Sequence, residues 1–85
     1  DVEIQREYIQ DLQANMITAL QTVDFMAVAQ EVGGDNEILI FYTYLDRLTE
    51  KCTELTEEKW KDRLGAADLS TESACIKMRE SVRID

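Results

Sequence analysis

Two stretches of this chain repeat apolar residues at alternating spacings of three and four, and no other feature limits its fold as sharply. Ile9, Leu12, Met16, Ala19, Val23 and Met26 make the first series; Ile38, Phe41, Leu45, Leu48, Cys52 and Leu55 make the second. An α-helix turns once every 3.6 residues, so such a series stays on one stripe of a helix. A strand would scatter it over both faces. Leu20 and Ala27 widen the first stripe into the face of a bundle helix. Proline is absent and glycine occurs three times, which leaves few places to turn and argues for a few long helices.

Gly33-Gly34-Asp35-Asn36 separates the two series. The glycines can end one helix in a left-handed conformation, and Asp35 or Asn36 can cap the next. Two seams joined by so short a loop fold back on each other. The expected architecture is all-α: an up-down-up three-helix bundle built on an antiparallel helical hairpin. Its helices cover about 2–32, 36–64 and 70–84, within a single domain 1–85. Residues 65–69 read as a loop. Ser70 or Thr71 then caps the last helix, whose apolar face is Ala74, Cys75, Met78 and Val82.

Three alternatives bear on this layout. Thr56-Glu57-Glu58 reads as a cap with first-turn acids, so a break there would give a fourth short helix. Asp24 could cap a separate helix, with Val23 and Val28 in the staple positions. The run ILIFYTYL at 38–45 has strand-like composition. Helix is the preferred reading there, because the seam runs on to Leu55 and no second strand is available to pair with it.

Composition removes several functions. There is no histidine, the usual general base near neutral pH and the commonest metal ligand. The net charge of −9 disfavours direct binding to nucleic acid, which needs clustered Lys and Arg, and to anionic lipid. No apolar run approaches the ~18–20 residues of a membrane span. No cofactor or metal site is specified, and the chain is not expected to be an enzyme: nothing sets two carboxylates on an apolar face. Cys52 and Cys75 are too few for a disulfide scaffold. They read as reduced, buried thiols of an intracellular, reducing compartment. A turn centred near residue 67 would set them about seven residues apart along the axis, roughly 10 Å, too far to bridge. Starting at Asp1 rather than Met, the chain reads as a mature or excised domain.

Two features point toward function. Residues 38–45 are apolar nearly all round, and a helix of that kind must be buried on more than one side. Leu39, Ile40, Tyr42 and Tyr44, with Phe25 and Val28, lie off the main seams, and the short last helix cannot cover them all. They are the candidate surface for a protein partner or a second copy. Charge is also segregated. Residues 1–46 carry nine acids and one base, whereas 47–85 carry nine acids and eight bases. Glu3, Glu7, Asp11, Asp24 and Glu31 therefore form a candidate acidic surface, which would suit a decoy or chaperone for a basic protein. The leading expectation is an interaction or assembly module. The acidic decoy is the alternative, and a small helical enzyme ranks third.

Overall fold

Asp24 decides where the first helix ends. The computed structural model describes residues 2–64 and 68–82. In it the stretch predicted as one helix divides into α1 (Val2–Thr22) and α2 (Phe25–Val32). Asp24 is extended (φ −90°, ψ 115°), and its Oδ1 accepts the Met26 N–H at 3.0 Å. Just upstream, Thr18 and Thr22 hydroxyls donate to the carbonyls of Ala14 and Thr18, an alternative partner that weakens a helix near its end. The redirected chain brings Val28 into the core beside a half-buried Val23 and leaves Met26 exposed.

The other two helices are α3 (Glu37–Leu64) and α4 (Asp68–Ser81), and no strand occurs among the described residues. The all-helical expectation therefore holds, with the fourth helix arising at Asp24 rather than at Thr56. Residues 38–45 lie inside α3. Thr56 caps nothing: it is fully buried in an unbroken helix and accepts a hydrogen bond from Asn15 Nδ2 at 2.9 Å. α4 begins at Asp68, upstream of both expected caps, and Thr71 is buried within it. Residues 65–67 of the expected loop and the expected helix end at 83–84 lie outside the described residues.

α1 and α3 pack antiparallel. Asn15 meets Thr56, Asp11 meets Trp60, and Glu7 meets Arg63. Leu12, Met16 and Ala19 of the first predicted seam are buried, while its outer member Ile9 is exposed. On α3 only the middle of the predicted seam, Leu48 and Cys52, is fully buried. The stripe that enters the core runs Ile40, Tyr44, Leu48, Cys52, Thr56 and Trp60, a strict step of four. Four residues turn the helix by about 400°, so this stripe winds about 40° per step around the barrel of α3. It faces α2 at one end and α1 with α4 at the other.

The register of α4 differs from the expected one. Arg79 Nη1 bonds Thr49 Oγ1 at 2.9 Å and the Leu45 carbonyl at 3.3 Å. One side of Thr71 meets Tyr8, whose ring packs edge-on against Trp60 with centroids 5.3 Å apart. Cys75, midway between Thr71 and Arg79, therefore stands level with Cys52 and not seven residues from it. The two thiols are free and fully buried in one cluster. The cause is that α3 runs on past the level at which α4 begins, so the two helices do not pair about residue 67. The Cys75 thiol and burial together push the Cys52 thiol above the ordinary thiol range. Its Sγ also approaches the Leu12 carbonyl at 3.6 Å, so this one level joins α1, α3 and α4.

Candidate protein-interaction surface

Helix lengths create the surface. α3 has 28 residues, or about 42 Å at 1.5 Å per residue, against 21 for α1 and 14 for α4. In the registers just given, the end of α1 at Thr22 lies near residue 47–49 of α3, and the end of α4 at Ser81 lies near residue 46. The first two and a half turns of α3 thus project beyond both neighbours. Among the described residues only α2 packs along this projecting part, and its backbone lies close to no helix but α3.

The projection is fixed at its root. Gly33 and Gly34 have φ of 75° and 74°, values that side chains with a Cβ rarely adopt. The Asn36 carbonyl accepts from Ile40 N–H and its Oδ1 from Leu39 N–H, each at 3.0 Å, so Asn36 caps α3. On the other side of the loop, Glu31 is ion-paired to Arg47, which also reaches Glu50 at 3.8 Å.

One helix eight residues long can cover one side of an arm that is apolar all round. Ile40, Tyr44 and Val28, three of the six residues expected on the partner surface, are instead buried between α2 and α3. Phe25 packs edge-on against Tyr44 at 5.2 Å but keeps its outer face in solvent. Leu39 (51% exposed) and Tyr42 (62%) stay outside, as expected. Two residues assigned to the seam join them: Ile38 at 70% and Phe41 at 45%. Phe25, Ile38, Phe41 and Tyr42 line, with Ile40 and Glu37, an open hollow of about 590 Å³. The spacing argument misplaced Ile38 and Phe41 because it assumed a neighbouring helix along the whole of α3. The available signal was Asp24, whose cap shortens α1.

The five carboxylates expected to form an acidic surface are not one surface. Asp24 is the cap of α2, and Glu31 holds Arg47. Glu7 is bound by Arg63 at 3.2 and 3.4 Å and approached by Lys59 at 3.9 Å. Asp11 accepts from Lys59 Nζ at 2.8 Å and from Trp60 Nε1 at 2.7 Å. Lys59 first, then Trp60, holds the Asp11 carboxyl below its ordinary range, against partial burial that works the other way. Glu3 lies in the first turn of α1 and is exposed. Trp60, which no seam included, organises this cluster: it is the largest fully buried side chain, with Arg63 stacked at 4.2 Å from its ring. Its position eight residues after Cys52 was the signal for it.

No group of three or more Cys, Asp or Glu side chains among the described residues is arranged to hold a metal ion, and no described helix is long and apolar enough to cross a membrane. Comparison of the chain with protein-family models, curated protein sequences and solved structures finds no match.

Proposed function

We propose that this domain is a protein-interaction module that receives a partner's apolar side chains on the projecting end of α3. The observation that carries the reading is the continuity of Ile38, Leu39, Phe41 and Tyr42 with Phe25, all exposed on one arm. Each large apolar side chain left in water forgoes roughly 1.5–3 kcal/mol that burial would return. Aromatic side chains set in such a hollow are the usual anchors of interfaces.

Charge favours a different protein over a second copy. Asp24, Asp35 and Glu37 flank the apolar arm, and Arg6 is the only base in the first 46 residues. Two copies meeting through this end would set acid against acid. An amphipathic helix with Lys or Arg beside its apolar face would complement it. The acidic-decoy reading draws less support, because Glu7 and Asp11 already bind Lys59, Arg63 and Trp60.

The test is a titration of the isotope-labelled domain with a leucine–lysine amphipathic peptide and with its leucine–glutamate counterpart. The lysine peptide is expected to shift backbone resonances from Phe25 to Tyr42. The double variant Leu39→Ser, Tyr42→Ser should weaken binding at least about thirtyfold with helicity unchanged. Shifts spread along the α1 carboxylates, or equal binding by the double variant, would overturn the reading. Doubling of the solution mass with rising concentration, abolished in the same variant, would assign the surface to a second copy.

A further inference from the structure

We propose that Cys52 and Cys75 form an interhelical disulfide site, closed by a disulfide oxidant such as glutathione disulfide and reopened by excess thiol. The inference is independent of the interaction surface, which lies on the part of α3 that projects beyond α4.

Geometry carries it. The level shared by the two cysteines is bracketed one turn away on each side, by Thr71 near Tyr8 and by Arg79 on Thr49. Neither residue of the pair is exposed, and both belong to the same buried cluster. Both side chains are small, as is the neighbouring Ala74, which lets two helices approach toward the near end of the usual 8–10 Å range. A disulfide needs Cα atoms about 4.4–6.8 Å apart, a span that facing small residues on closely packed helices can meet. The bridge would tie α4, the shortest helix of the three-helix packing, to the middle of α3.

Neither thiol is accessible in the closed fold, so reaction proceeds when α4 lifts away from α3. One cysteine thiolate then attacks a sulfur of glutathione disulfide. The oxidant's S–S bond breaks, one glutathione leaves as its thiol, and a mixed disulfide forms. As α4 returns, the second cysteine loses its proton and attacks the protein sulfur of that mixed disulfide. The second glutathione leaves, and the Cys52–Cys75 bond is made. The protein gives up two electrons and two protons; the oxidant takes up both and departs as two thiols.

The experiment equilibrates the intact chain with a series of oxidised-to-reduced glutathione ratios, in buffer and in urea sufficient to unfold it. Free thiols are then trapped by alkylation, and intact mass is recorded. The folded chain is expected to lose two hydrogens without gaining glutathione, at an equilibrium constant at least about tenfold above that of the unfolded chain. Its melting temperature should rise by about 10 °C on oxidation and fall back with excess thiol. Cys75→Ala should show no such rise. An equilibrium constant in the fold equal to or below that in urea would overturn the proposal. So would accumulation of glutathione adducts, or of two free thiols, in place of the bridge.

Discussion

Trp60 gathers several interactions on one side chain. It fills the space between α1 and α3, stacks edge-on with Tyr8, donates its N–H to Asp11 and supports Arg63. Trp60→Ala is expected to cost about 3–5 kcal/mol, as for other large aromatic truncations. Trp60→Phe keeps most of the volume but removes the hydrogen bond to a carboxylate, at about 1.5–3 kcal/mol. Urea unfolding followed by circular dichroism separates the two, and equal losses would mean that the N–H contributes nothing. Asp11 adds a pH signature. Its carboxyl pKa is lowered in the fold from an ordinary 3.8, chiefly by Lys59. A lowered carboxyl pKa stabilises the fold fully above 3.8 and loses that contribution as pH falls through the folded value. The advantage of the native chain over Asp11→Asn should therefore shrink as pH falls below about 4. A constant difference would show that the charge on Asp11 is not what matters. On the arm, Ile40 and Tyr42 are two residues apart in sequence but opposite in role. Ile40→Ala should cost about 2–4 kcal/mol and Tyr42→Ala within about 0.5.

At the scale of elements, the helices were legible and the phase of one of them was not. Alternating threes and fours gave α1 its buried Leu12, Met16 and Ala19, and the same rule located Leu48 and Cys52 on α3. Leu48→Ala should accordingly cost about 2–4 kcal/mol, read from the urea midpoint. Toward the ends of α3 the rule failed for two different reasons. Residues 38–45 are apolar all round, so spacing carries no information about which face turns inward. At 56–60 the buried stripe passes through a threonine, which hydropathy discounts, before reaching Trp60. Asp24 as a cap was readable, and the structure chose it. Asp24→Ala should cost about 1 kcal/mol through the loss of one satisfied N–H at the start of α2. Gly33 tests the loop differently. At φ 75° and ψ 165° it occupies a region nearly restricted to glycine, with no atom within 4 Å of where a Cβ would stand. Gly33→Ala should then cost about 1–3 kcal/mol from backbone strain alone, with no contact disturbed. A loss below about 0.5 kcal/mol would mean that the loop finds another path.

For the whole molecule, the decisive quantity is the difference in length between α3 and its neighbours. No single stretch of sequence states it, because it depends on where α1 breaks and on the register of α4. The break is set locally by Asp24, but the registers arise from contacts across the fold, the Asn15–Thr56 and Arg79–Thr49 hydrogen bonds among them. The candidate surface was therefore half legible. Leu39, Tyr42 and Phe25 are where spacing put them, while Ile40, Tyr44 and Val28 became core once α2 separated from α1.

Because the backbone of α2 lies against α3 alone, with Val28 its one buried side chain, it can come away while α1 and α4 stay packed on α3. Amide hydrogens near the tip of α3 should therefore exchange with deuterated solvent through a shallow opening. Those from Leu48 to Trp60 must wait for the chain to unfold globally. The two classes differ in denaturant dependence, since the shallow opening bares little surface. A partner seated on Phe25, Leu39 and Tyr42 would hold α2 down and slow only the first class. Occupancy of one end of the domain would then be recorded as time: a selective delay in exchange along the first turns of α3, with the protection of the remaining helix unchanged.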